Sequence, residues 1–150
     1  MMMNFPLSIV TRSPEETRAV GRMLAEALEY DKSLPSFVAM FGDLGVGKTA
    51  FVSGFAEVLA PGKQIKSPTF ALVHEYRLRG KRPLFHFDMY RIESDDELYA
   101  MGYDEYLDSG ICIAEWCENI MDSLPRKRVE VTISKTGEGV DVRHIEIDLK

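Results

Sequence analysis

Cysteine is scarce in this chain of 150 residues, and the two copies present form no recognisable motif. Cys112 and Cys117 flank Ile113-Ala-Glu-Trp116, a spacing that fits neither a zinc site nor a redox pair. Both read as structural thiols, for which a reducing cytoplasm is the natural setting. Long apolar runs are missing too; none approaches the roughly 18 to 20 residues that span a bilayer, so no membrane association is expected. The opening Met-Met-Met-Asn-Phe-Pro has neither the charged region nor the apolar stretch of a secretory signal. Positive charge is in deficit: 18 Lys and Arg against 24 Asp and Glu leave a net charge of −6. That balance argues against independent binding to a nucleic-acid backbone. Repeats, low-complexity tracts and linkers are absent, so residues 1–150 read as one domain, large enough for a genuine core.

Glycine is present in one informative pattern. Gly42-Asp-Leu-Gly-Val-Gly-Lys-Thr49 satisfies the phosphate-loop pattern GxxxxGK[ST] at each fixed position. An apolar run, Phe37–Phe41, leads into it, and Ala50–Leu59 follows with large apolar residues at helical spacing. Gly42, Gly45 and Gly47 can turn consecutive N–H groups inward around phosphate oxygens, and the next helix directs its positive dipole end at the same anion. Lys48 adds charge near the β- and γ-phosphates, and the Thr49 hydroxyl can ligate Mg²⁺. A nucleoside triphosphate is the expected ligand.

The remainder reads as a mixed α/β sheet flanked by helices. Leu7–Val10 is a short strand. Ser13, Pro14 and Glu16 form a helix start with a capping box, and Val20, Met23, Leu24, Ala27 and Leu28 make that helix's buried stripe. Phe70–Tyr76 and Pro83–Asp88 flank a basic turn as a hairpin. Ser94 and Glu97 form a second capping box, opening a helix that Gly102 ends. Gly110–Ala114 is apolar on both faces, as a central parallel strand should be. Val129–Ile133 and His144–Asp148 alternate and form a terminal antiparallel hairpin. The basic clusters Arg77–Arg82 and Arg126–Arg128 fit either solvated surface or a partner contact.

Ligands of open α/β sheets lie beyond the carboxyl ends of the strands. Asp88 ends the run Leu84–Phe87 and Glu115 ends Ile111–Ala114, so both acids fall where a phosphate loop needs groups for Mg²⁺, its waters or the attacking water. The alternative for each is a strand cap in solvent.

Four segments in order, Gly42–Thr49, Lys66-Ser-Pro-Thr-Phe70, His86-Phe-Asp-Met-Tyr-Arg91 and Glu115-Trp116, resemble the bacterial TsaE (YjeE) family. Its members are small P-loop ATPases needed to make threonylcarbamoyladenosine beside the anticodon of tRNA. The resemblance implies a P-loop NTPase-like fold, ATP and Mg²⁺ as cofactors, and association with the TsaD–TsaB pair, with tRNA reached only through partners. It makes Lys48 the phosphate lysine, Thr49 and Glu115 the metal ligands, Asp88 an acid for hydrolysis, and the Ser67-Pro68-Thr69 loop a switch that senses the γ-phosphate. Asp43, Leu44, Gly45, Val46 and Gly47 would line the nucleotide, with Asp43 turned outward because an acid beside phosphates is electrostatically awkward. Trp116 fits either the nucleotide site or plain core packing. Thr11 and the segment up to Pro14 would border the base. His86 fits packing or a hydrogen bond in the hairpin better than acid–base work.

Other classes are less well served. A small-molecule kinase needs an acceptor pocket and usually an arginine-rich lid, and no lid insertion is evident. A guanine switch commonly carries Asn-Lys-x-Asp, which is absent. A nucleotide-gated binding subunit with incidental hydrolysis differs from the ATPase only in rate. No arginine finger is evident, so turnover alone should be slow and partner-stimulated.

Overall fold

The computed structural model describes residues 3–43, 45–65 and 72–150. Leu44, and the Ser67-Pro68-Thr69 loop with its expected switch residue Thr69, lie outside them. Seven strands form one sheet: β1 (Leu7–Thr11), β2 (Phe37–Phe41), β3 (Val73–Tyr76), β4 (Leu84–Asp88), β5 (Ile111–Glu115), β6 (Val129–Lys135) and β7 (Arg143–Leu149). Their spatial order is β1-β7-β6-β2-β5-β4-β3. β6, β2, β5 and β4 run parallel; β7 and β3 run against them at the two sides, and β1 pairs antiparallel with β7 and so points the same way as the four. The expected mixed sheet is therefore present, as are both hairpins, β3–β4 and β6–β7.

Alternation along β2 feeds two cores. Val38 and Met40 face α1 (Pro14–Tyr30) and α2 (Lys48–Leu59); Phe37 and Ala39 face α3 (Asp95–Ala100) and α4 (Tyr103–Leu107). β5, flanked by parallel strands, is buried throughout, which explains its unbroken apolar run. The aromatic core around Tyr103 has edge-on contacts with Phe37 and Phe87.

Helix starts follow from capping. Ser13 Oγ accepts from the Glu16 amide at 3.1 Å, and Pro14 occupies the first turn, where its missing N–H is harmless. The box closes one residue earlier than expected, since the Glu16 carboxylate accepts from the Arg12 amide rather than from that of Ser13. The buried stripe of α1 also differs. Met23 is partly exposed, whereas Gly21 and Ala25 are buried. The reason is helix proximity: a Cβ on Gly21 would lie 2.1 Å from the Phe51 carbonyl of α2, and one on Gly54 would lie 1.9 Å from the Arg18 carbonyl of α1. α4 and a 3₁₀ segment, Cys117–Ser123, are additional to the expected elements; Gly102, which ends α3, also begins α4.

Candidate functional site

The parallel order brings three strand ends to one edge. Phe41 ends β2 and leads into the glycine loop, while Asp88 and Glu115 stand opposite each other at the ends of β4 and β5. Asp88 and Glu115 are thus register partners on adjacent strands.

The loop takes its shape from glycine. Gly42, Gly45 and Gly47 have φ of +140°, +78° and +106°, a region that side chains disfavour. Gly42 also lies against β6, where a Cβ would sit 2.4 Å from the Ile133 carbonyl. Gly47 is the N-cap of α2, and among the described residues no side chain caps that helix. Its first-turn amides are therefore oriented for an anion. Val46 is buried, Asp43 is exposed as expected, and Thr49 is exposed on the first turn of α2.

Lys48 is buried. Its Nζ donates to the Gly42 carbonyl at 2.6 Å and lies 3.6 Å from the centroid of the Trp116 ring. Burial lowers the ammonium's pKa, opposed by the charges of Glu118, Glu115, Asp88 and Asp43. Trp116 holds its ring there from a left-handed backbone, φ 59° and ψ 42°, and meets Tyr90 at 5.0 Å between centroids. Asn119 Nδ2 donates to the carbonyls of Met89 and Tyr90 at 2.9 and 3.1 Å, tying the 3₁₀ segment to the end of β4.

Of the two strand-end acids, Glu115 is buried and Asp88 half-buried. Asp88 accepts from the Tyr90 amide at 3.0 Å. Burial raises its pKa, the Tyr90 bond opposes this, and the Glu115 charge raises it further. His86 lies beneath them, its Nε2 at 2.5 Å from Glu115 Oε2, while its buried Nδ1 has no hydrogen-bond partner among the described residues. The hydrogen bond expected within the β3–β4 hairpin is made instead across to β5.

Thr11 ends β1 and meets α1. It is buried, and its hydroxyl shares a 2.7 Å hydrogen bond with that of Thr17. Thr17, with Pro14, Val46, Gly47, Asp141 and Arg143, lines a cavity of about 40 Å³ beside the loop. A larger cleft, about 420 Å³, runs along the loop's other flank between Gly42, Glu118 and Thr132–Lys135.

Known proteins resemble this chain in sequence and fold. The family model "Threonylcarbamoyl adenosine biosynthesis protein TsaE" matches residues 11–145. The chain belongs to the TsaE family. It is 39% identical over 129 residues to the tRNA threonylcarbamoyladenosine biosynthesis protein TsaE of Bacillus subtilis, covering 85% of this chain and 77% of that protein. The Haemophilus influenzae TsaE is 38% identical over 131 residues, covering 85% and 79%. The crystal structure of Bacillus subtilis YdiB superposes with a TM-score of 0.72 at 34% identity, covering 98% of this chain and 87% of that one.

Two contacts in this TsaE-family site escape a reading of the sequence. Glu118 Oε2 accepts from the Gly42 amide at 2.9 Å, and Arg143 reaches the carbonyls of Val46 and Gly45 from β7. Glu118 is near in sequence to Glu115, but the 3₁₀ turn that swings it back to the loop has no periodic signal. Arg143 is separated from Val46 by 97 positions. Among the described residues, no helix is long and apolar enough to cross a membrane.

Proposed function

We propose that this TsaE-family chain binds ATP with Mg²⁺ at Gly42–Thr49 and hydrolyses it to ADP and phosphate, in support of threonylcarbamoyladenosine formation on tRNA. One observation carries the reading: a phosphate loop beside two register-paired carboxylates, Asp88 and Glu115, at adjacent parallel strand ends. The names of the relatives supply the pathway, and the fold they share supports it.

The donor set fits a divalent cation together with a polyphosphate. Lys48 is surrounded by Asp43, Asp88, Glu115 and Glu118, so a bare tetra-anion would meet more negative than positive side-chain charge. Among the described residues, no three His, Cys, Asp or Glu side chains converge on one metal position. That suits an ion taking one or two protein ligands and completing its shell with phosphate and water. Thr49 and Glu115 would hold it, and when bound it neutralises charge developing on the phosphate oxygens.

The chain's own groups do the rest. Amides of the Asp43–Gly47 loop would enclose the phosphates. Lys48 leaves the Gly42 carbonyl for the β- and γ-oxygens. Asp88 orients a water for in-line attack at the γ-phosphorus; the bond to the ADP oxygen breaks and inorganic phosphate departs. Thr69 would report the γ-phosphate to the TsaD–TsaB pair, and Trp116 would shape the wall beside Lys48. Thr11 would support the base side from behind Thr17. The 150 residues would act as one ATPase unit in the cytoplasm, reaching tRNA through that pair, as the net charge of −6 favours.

Phosphate release from ATP, measured with and without Mg²⁺ and with and without TsaD–TsaB, tests the proposal. Metal-dependent release that rises with the pair is expected. ATP that remains intact in every arm, or a phosphorylated acceptor in place of free phosphate, would overturn it.

A further inference from the structure

Arg143 opens β7 and grips the glycine loop from its hairpin side. Its Nε donates to the Val46 carbonyl at 2.8 Å and its Nη2 to the Gly45 carbonyl at 3.4 Å. Its Nη1 donates to Val140 and Val142 within its own hairpin, at 2.7 and 3.0 Å. One planar fork therefore ties four main-chain carbonyls together.

The consequence lies in the amides. In a trans peptide, the carbonyl and the following N–H point in opposite directions. Drawing the Gly45 and Val46 carbonyls toward the hairpin turns the N–H groups of Val46 and Gly47 away from it. The sheet order puts the β6–β7 hairpin on one side of β2, and β5 and β4 on the other. The amides are thus turned toward the side that carries Asp88 and Glu115. Such a lock is needed here. Val46 lies between Gly45 and Gly47, both at positive φ, and a Cβ on Gly45 would meet nothing within 4 Å among the described residues. Peptides flanked by glycine in open space flip readily, and a loop that samples both orientations binds more weakly than one already set.

We propose that Arg143 is a positioning residue that pre-sets the Val46 and Gly47 amides for a polyphosphate, without itself touching the phosphates. This rests on the phosphate-loop reading above. It explains the use of arginine, whose rigid fork can bridge carbonyls that a lysine ammonium cannot hold together in one plane.

The test measures binding of inorganic tripolyphosphate, which has no base or sugar, and of ATP, both with Mg²⁺, to the intact chain and to Arg143→Met and Arg143→Lys. Both variants are expected to lose about tenfold or more in affinity for both ligands, the loss of one to two oriented hydrogen bonds. Arg143→Lys should lose nearly as much as Arg143→Met, and the loss should persist at high salt, because orientation rather than charge has been removed. Should Arg143→Met fail to fold, Arg143→Lys decides by the same comparison. Tripolyphosphate bound equally by folded variants and wild type would overturn the inference, leaving the phosphate loop intact. So would weaker ATP binding with tripolyphosphate unchanged, which would assign Arg143 to the nucleoside. A wild-type chain that binds neither ligand would remove the phosphate-loop reading itself, and this inference with it.

Discussion

His86 Nε2 and Glu115 Oε2 lie 2.5 Å apart in the buried seam between β4 and β5. With Glu115 as a carboxylate, which only accepts, Nε2 is the donor, and the bond holds one Glu115 oxygen in place. Removing the donor frees Glu115 to turn, and losing such an outer partner typically costs 10- to 100-fold in metal affinity or activity, as a rough range. His86→Leu should therefore depress Mg²⁺-dependent phosphate release by about that factor. His86→Gln, which can present an amide N–H, should recover much of it. Equal rates for the two variants would show that His86 is only packing; a melting curve for each separates misfolding from misplacement.

Lys48 over the Trp116 ring offers an optical handle. Trp116 is the chain's single tryptophan, and the ammonium 3.6 Å from its centroid is a cation–π contact. A polyphosphate that draws Lys48 away alters the field on the indole. Titrating ATP·Mg into the wild type should change the intrinsic fluorescence. Lys48→Ala should shift the resting emission, abolish the response and weaken ATP at least about tenfold, the loss of one charge-assisted contact. A normal response in Lys48→Ala would place the lysine elsewhere.

Much of this site is legible before folding, for local reasons. β2, β4 and β5 show as apolar runs because burial on both faces leaves no room for alternation, and the glycine loop is contiguous. Asp88 and Glu115 stand out because each is the first acid after such a run. Tertiary effects are not local. Gly21 carries no hydrophobic signal, yet it is buried because α2's backbone passes against it. The α4 and 3₁₀ segments span 5 and 7 residues, too short to display a period. Arg143 meets Val46 only because β7 pairs with β6, which in turn flanks β2.

The close approach of α1 and α2 makes a stability prediction. With a would-be Cβ 1.9 Å from the Arg18 carbonyl, Gly54→Ala cannot be accommodated by a side-chain rotation, since the obstacle is backbone. Gly21→Ala meets the Phe51 carbonyl in the same way. Each should destabilise by about 1–3 kcal/mol or more through overpacking, although alanine favours helix over glycine by about 1 kcal/mol. Because α2 continues from the phosphate loop, ATP affinity should weaken alongside. Urea unfolding with the exposed Glu26→Ala as control, expected within about 0.5 kcal/mol of wild type, measures the effect. A stabilised Gly54→Ala would mean that the helices sit further apart.

The two thiols predict an alkaline response. Cys112 and Cys117 are buried, with Sγ directed at the carbonyls of Tyr106 and Ala114. Burial pushes both from the ordinary 9.0 up to about 12, because a thiolate loses its hydration there. At pH 8 the folded chain should resist a thiol reagent, whereas the denatured chain should react at both positions. Between about pH 9 and about 12, the folded state keeps protons that the unfolded state releases. The unfolded state then binds fewer protons, so stability falls as pH rises, by up to about 1.4 kcal/mol per pH unit for each thiol. Replacing both cysteines with alanine should flatten this slope in urea midpoints measured from pH 8 to 11, while lowering stability at pH 8 through the space left behind. An unchanged slope would mean that the alkaline loss arises from tyrosine, chiefly the buried Tyr103, whose pKa is also raised, mainly by burial.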